Sequence, residues 1–287
     1  MYCDFFGFSE KPFTITPNPH FVFLSSIHRE AFARLLYGVD SHAGFISLTG
    51  EVGTGKTTML RTLLTQLDPE KYTSALIFNP CMSGEQLLAG ICREYGVEVN
   101  EKSRSGYLDA LNYFLIEQNS GGRTVILVID EAQNLEPEVL EQVRMISNLE
   151  TERDKLIQII LAGQPELNTI LRRYDLRQLN QRITVRCRLT PMRFDDTVQY
   201  INHRLKIAGS RIPDIFSPAA IKQIYRFSAG IPRLINVACE QALVMAWTRD
   251  IRSISPLVAK EVIAELQPDD KHVGFWYRIY SWLFARK

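Results

Sequence analysis

The chain has 287 residues, 46% of them apolar and 23% charged, with 33 Lys and Arg against 32 Asp and Glu. That composition excludes a disordered or collagen-like chain, and a formal net charge of +1 excludes a uniformly basic nucleic-acid coat. Five scattered cysteines (Cys3, Cys81, Cys92, Cys187, Cys239) show no CxxC spacing, so buried thiols are expected rather than a disulfide framework or zinc site. Asp4, Glu10 and Pro12 interrupt any basic-then-apolar leader. No apolar stretch reaches the ~18 residues of a spanning helix, so a cytoplasmic protein is expected.

Residues 1–25 are aromatic and rich in proline, which predicts an irregular segment packed onto something else. A helix is expected from about Ser26, with Ile27, Ala31, Leu35 and Leu36 on one face and Gly38 near its end. Strands are expected at Phe45–Thr49, Ser74–Asn79, Thr124–Asp130, Ile157–Ala162 and Ile183–Leu189. Helical patterns near 56–67, 83–94, 105–118, 137–149 and 166–173 separate them. This alternation means an α/β fold, a parallel sheet with helices on both sides. The last strand alternates apolar with Thr184, Arg186 and Arg188 and should lie at an edge. Beyond Pro191 only helices are expected: one from Asp195 to Ala208, others starting at Ser217-Pro218, Pro232 and Ser255-Pro256. The chain therefore divides into an αβ domain at 1–190, a helical domain at 191–267 and an aromatic, basic tail at 268–287.

Gly50-Glu51-Val52-Gly53-Thr54-Gly55-Lys56-Thr57 matches GxxxxGK[ST] between an expected strand and an expected helix. In such a loop the glycines turn backbone N–H groups toward a phosphate at a helix N-terminus. Candidate nucleotide-binding residues are Gly50, Val52, Gly53, Thr54, Gly55, Lys56, Thr57 and Thr58. Lys56 would reach the outer phosphates of a nucleotide and Thr57 would hold Mg2+. Val125-Ile126-Leu127-Val128-Ile129 ends in Asp130-Glu131, two carboxylates at the ligand-binding end of a buried strand. Asp130 is the candidate metal residue beside Thr57, and Glu131 the candidate general base for an attacking water. Hydrolysis, rather than nucleotide binding alone, follows from Glu131.

With these residues located, the chain resembles an AAA+ ATPase, and more narrowly the general secretion pathway protein A-like (GspA/ExeA/MshM) family. The resemblance rests on Phe6-Gly7-Phe8, Pro12-Phe13, Thr16-Pro17-Asn18-Pro19, and a helix with His28, Leu35, Leu36 and Gly38. It continues through the phosphate loop, Asp130-Glu131-Ala132-Gln133, Leu161 to Leu167, Gln178 to Arg182 and Gly230-Ile231-Pro232-Arg233, over residues 1–267. It implies a P-loop NTPase (AAA+) sheet with a small C-terminal helical lid domain, and ATP hydrolysis with Mg2+ that energises a secretion or type IV pilus-like system. It also implies roles for Gln164 as a first sensor, Arg233 as a second sensor and Arg182 as a finger given to a neighbouring subunit. Read without it, Gln164 is an ordinary turn residue and Arg233 a solvated one. The N-terminal aromatic segment resembles the part that shelters adenine, although core packing alone also explains it.

Residues 172–188 hold six arginines and one acid. The cluster either faces the nucleotide of an adjacent protomer or tracks a nucleic-acid backbone, and several of its members would simply be solvated. A DNA-associated transposition-regulator ATPase, acting as an ATP-dependent assembly switch, is thus the alternative function, and DNA the alternative partner. No aromatic interleaving supports it. Residues 272–287 carry Phe275, Trp276, Ile279, Trp282 and Leu283 on one helical face, ahead of Arg286 and Lys287. This tail either makes peripheral contact with the inner membrane or docks on the protein itself. Residues 172–211 total +7 while 130–154 hold eight acids against two bases, as a head-to-tail homo-oligomer would require.

Overall fold

Every residue of Phe45–Gly50 and of Ile157–Gly163 is buried, as expected of strands covered on both faces. They belong to a computed structural model that describes residues 2–15, 19–78, 81–149, 155–210, 212 and 214–267. In chain order the first elements are α1 (Tyr2–Phe6), α2 (Ser26–Asp40), β1 (Phe45–Gly50), α3 (Lys56–Gln66), β2 (Tyr72–Ile77), α4 (Gly84–Glu94) and α5 (Arg104–Ser120). There follow β3 (Thr124–Ile129), α6 (Pro137–Ile146), β4 (Ile157–Gly163), α7 (Glu166–Leu171), α8 (Arg177–Arg182) and β5 (Ile183–Leu189). The last are α9 (Phe194–Ile207), α10 (Pro218–Ser228), α11 (Pro232–Thr248) and α12 (Pro256–Leu266). The chain divides into two units: residues 24–191, and residues up to Phe23 together with those from Met192 onward.

In the first unit all five strands are parallel, in the order β2-β3-β4-β1-β5. Successive strand residues feed two separate cores. Val125, Leu127, Ile129, Ile159 and Leu161 pack with Leu88, Leu115, Leu140 and Leu179 from α4, α5, α6 and α8. Ile126, Val128, Ile160, Ile46 and Leu48 pack with Leu35 of α2 and Leu60 and Leu63 of α3. A strand period of two thus sorts the helices onto opposite faces. β5 lies at the edge with Thr184, Arg186 and Arg188 exposed, as its alternation implied.

Two local expectations change, and one gains a physical reason. Gly38 lies near the end of α2, as expected, two residues before Asp40. A Cβ there would stand 2.7 Å from Ile46 Cδ1, so glycine serves a close approach of helix to sheet. Residues 177–182 form a helix that their charge concealed, with Leu179 its buried residue. Cys81 is exposed, whereas Cys92, Cys187 and Cys239 are buried free thiols.

The second unit joins the N-terminal segment to α9–α12. Ser217 and Ser255 cap α10 and α12, accepting from Ala220 N–H and Val258 N–H ahead of Pro218 and Pro256. The sequence grouped residues 1–25 with the αβ domain as an irregular stretch. In the structure Tyr2–Phe6 forms a one-turn helix, closed by Gly7 at φ 73°, before the prolines begin. Phe6, Phe8, Phe13 and Phe21 enter the core of α9–α12. Buried Arg204 fastens the segment, its Nε donating to the Pro12 carbonyl at 2.6 Å and its guanidinium lying over the Phe21 ring. Tyr2 donates to Glu240 at 2.7 Å. The segment supplies apolar area that four short helices lack, which is why it belongs with them. The tail, residues 268–287, lies outside the described residues.

Candidate functional site

The loop between β1 and α3 is built by its glycines. Gly53 and Gly55 take φ of 80° and 99°, backbone that other residues rarely adopt. A Cβ on Gly50 would stand 2.7 Å from the Leu189 carbonyl oxygen, so that turn has no room for a side chain. α3 starts without a side-chain cap, which leaves its first-turn N–H groups for an anion. The Thr54 hydroxyl closes the loop on the Glu51 carbonyl at 2.7 Å. Val52 is exposed on the loop, and Thr58 is half-buried in the first turn of α3.

Lys56 is buried, and its Nζ donates to the carbonyls of Gly50 at 2.8 Å and Glu51 at 3.3 Å. Burial pushes its ammonium below the ordinary lysine range, against the opposing pull of the Glu131, Asp130, Glu51 and Glu166 carboxylates. Thr57, one residue on, donates its hydroxyl to Asp130 Oδ2 at 2.5 Å. A hydroxyl beside an almost fully buried carboxylate is a hard-oxygen pair of the kind that holds Mg2+ when phosphate oxygens complete the shell. The loop and this pair therefore fit a magnesium nucleotide.

Sheet order explains why residues distant in sequence meet. β4 stands between β1 and β3, so Gln164, just past β4, falls between the phosphate loop and the carboxylates. Asp130 Oδ1 accepts from the Glu131 N–H at 3.0 Å. Glu131 itself has φ 55° and ψ 38°, a left-handed conformation that costs a non-glycine residue about 1–2 kcal/mol. Its Oε2 accepts from Gln133 Nε2 at 2.6 Å and from Gln164 Nε2 at 3.3 Å. Gln133 Oε1 accepts in turn from the Gln164 N–H at 3.0 Å. Two amides thus fix one carboxylate oxygen, and one of them also fixes the other amide's backbone.

Lys56, Thr57, Asp130, Glu131 and Gln164 come together in the first unit. Arg182 is not part of that group: its Nη1 donates to Ser147 Oγ at 3.1 Å and also to Asn148 Oδ1, at the C-terminal end of α6. Arg233 is exposed in the first turn of α11, in the second unit. Other members of the arginine cluster have partners within the chain. Arg173 pairs with Asp175 at 2.9 Å, Arg177 lies over the Tyr174 ring, and Arg186 donates to Asn180 Oδ1 at 2.7 Å.

Sequence reasoning assigned no role to three residues here. Gln133 carries no signal in the sequence beyond the resemblance, yet it holds Glu131. Asn168 Nδ2 donates to Thr49 Oγ1 at 3.3 Å, linking α7 to the end of β1. His28 is buried against the phosphate loop.

A glycine-built phosphate loop, a Thr–Asp pair across the sheet and a following glutamate define a P-loop NTPase fold of the AAA+ class. The AAA domain family matches residues 39–171. Over 255 residues the chain is 46% identical to General secretion pathway protein A of Aeromonas hydrophila, a match covering 88% of this chain and 46% of that protein. The chain is thus similar to a general secretion pathway protein A over most of its own length, and it spans about half the length of that relative. Among solved structures, Cdc6p from Pyrobaculum aerophilum matches with a TM-score of 0.68 at 21% identity, over 85% of this chain and 69% of that one. The Aeropyrum pernix ORC2 protein matches at 0.66 and 18% identity, over 87% and 72%. These two likenesses show the fold.

Proposed function

We propose that the protein is a Mg2+-dependent ATPase whose nucleotide cycle energises the assembly or operation of a secretion or type IV pilus-like machine. The observation that carries the enzymatic part is the Thr57–Asp130 contact of 2.5 Å, with Glu131 next in the chain held by two glutamines. The relative's name supports the secretion part, and the ORC2 structure is described as ADPNP and ADP complexes.

In this reading the amides of Gly53, Thr54, Gly55 and Lys56 receive the phosphates of ATP, and the Lys56 ammonium neutralises charge on the outer ones. Thr57 and Asp130 would hold Mg2+, which when bound offsets charge building on the β- and γ-phosphate oxygens. Glu131 takes the proton of a water whose oxygen bonds the γ-phosphorus as the bond to the bridging oxygen breaks and ADP leaves. Gln133 and Gln164 orient that carboxylate. Arg182 serves the site of a neighbouring copy in a head-to-tail assembly, and Arg233 reads the phosphates. The protein works in the cytoplasm, with residues 272–287 as a peripheral contact to the inner membrane. Among the described residues no helix is long and apolar enough to cross a membrane.

The test is steady-state ATP hydrolysis of the full chain with and without Mg2+, beside Lys56→Ala. Metal-dependent turnover that Lys56→Ala removes supports the reading, and its absence from the unaltered protein at every concentration refutes it. For the cellular part, a Glu131→Gln allele should block secretion or piliation in the host, and normal levels of both would contradict it.

A further inference from the structure

The geometry points to His28 as a positioning residue that sets the direction of the Gly55 amide in the phosphate loop. This rests on the nucleotide-binding reading above and adds to it a residue outside the loop.

His28 lies in the first turn of α2, whose N-cap is Ser25. It is 6% exposed and Ser25 is completely buried. One ring nitrogen, Nδ1, stands 2.7 Å from Ser25 Oγ, and the other, Nε2, stands 2.9 Å from the Thr54 carbonyl oxygen. A carbonyl only accepts, so Nε2 carries the proton in that bond. The Ser25 hydroxyl can then donate to Nδ1 while accepting from the His28 N–H at 3.4 Å, an arrangement that meets every requirement of the ring. The helix cap therefore selects the tautomer, and the tautomer supplies the donor that reaches the loop.

The consequence follows from peptide geometry. In a planar trans peptide the C=O of one residue and the N–H of the next point in opposite directions. The Thr54 carbonyl is drawn toward His28, so the Gly55 N–H is turned the other way. Gly55 sits at φ 99° immediately before α3, where N–H groups serve as phosphate donors. Gly55, with no Cβ, gives this peptide little steric restraint on one side, so a hydrogen bond from outside the loop helps to fix its direction. The Thr54 hydroxyl fixes the other side of the loop through the Glu51 carbonyl at 2.7 Å. His28 fixes this one.

The experiment compares unaltered protein, His28→Leu and His28→Gln for binding of Mg2+-free ADP and of pyrophosphate, with apo-protein unfolding measured alongside. Glutamine places an amide donor near the position of Nε2, and leucine places none. His28→Leu should weaken ADP and pyrophosphate by the same factor, about tenfold, as expected for one misdirected charge-assisted hydrogen bond. His28→Gln should recover most of that loss. Equal factors identify a phosphate effect, since pyrophosphate carries no base. If His28→Leu does not fold, His28→Gln with near-native affinity supports the role, and His28→Gln folded but tenfold weaker overturns it. Unchanged affinity in folded His28→Leu also overturns it, while failure of the unaltered protein to bind either probe refutes the nucleotide reading instead.

Discussion

Thr57 donates its hydroxyl to Asp130 Oδ2 at 2.5 Å, although the two residues are 73 apart in the chain. The contact ties the start of the helix after the phosphate loop to the end of a strand two places away in the sheet. Replacing Thr57 by Val keeps the volume and removes the donor, leaving a carboxylate that is 1% exposed with one partner fewer. Apo stability should fall by about 1–3 kcal/mol, read from urea unfolding, and Mg2+ should no longer strengthen ADP binding. A variant as stable as the parent and equally responsive to Mg2+ would contradict both assignments.

Gln133 holds Glu131 and also receives the backbone N–H of Gln164. Gln133→Leu removes both bonds at once without touching a phosphate-binding group. Turnover should fall about 10- to 100-fold at saturating ATP while ADP affinity stays within a factor of two, the pattern of a group that acts on the transition state rather than on binding. A change confined to affinity would place Gln133 outside the catalytic arrangement.

Arg182 reaches the end of α6 rather than the phosphate loop of its own chain. If it acts on a neighbour, Arg182→Ala and Glu131→Gln proteins should each be nearly inactive, and mixing them should restore part of the turnover. Mixed assemblies would contain sites with an intact Glu131 from one copy and an intact Arg182 from the next. A mixture no more active than its components would remove the finger role.

The buried Cys187 thiol is pushed up by burial to about 11, against the opposing pull of Arg34. Its folded pKa lies above its unfolded value, so its contribution is complete below about pH 9 and is lost as pH rises toward the folded value. The stability difference between the parent and Cys187→Ala should shrink by roughly 2–3 kcal/mol from pH 9 to pH 11. Parallel stability curves across that interval would show that this thiol does not ionise on unfolding.

What the sequence revealed and what it hid have the same physical origin. The phosphate loop was legible because its backbone demands glycine at Gly53 and Gly55, a demand that shows as residue type. Asp130 and Glu131 were legible because a strand buried on both faces must end where its apolar run ends. Gln133 was hidden because its partner depends on the left-handed turn at Glu131, which no residue type announces. His28 was hidden because its contact runs from the first turn of a helix to a loop 26 residues away. The helix at Arg177–Arg182 escaped because six residues with one buried side chain show no period. The N-terminal phenylalanines announced burial but not against which core, since apolar character carries no address.

The central claim is that Glu131 is the base of an ATP-hydrolysing site, and the most direct measurement is a paired one on Glu131→Gln: ATP binding by equilibrium titration, and phosphate release under saturating ATP. Glutamine keeps the shape and the contacts with Gln133 and Gln164 within reach but accepts no proton from water. The account predicts ATP bound with parental affinity and phosphate release reduced at least about 100-fold. Phosphate release within a few-fold of the parent, with ATP still bound, would contradict it.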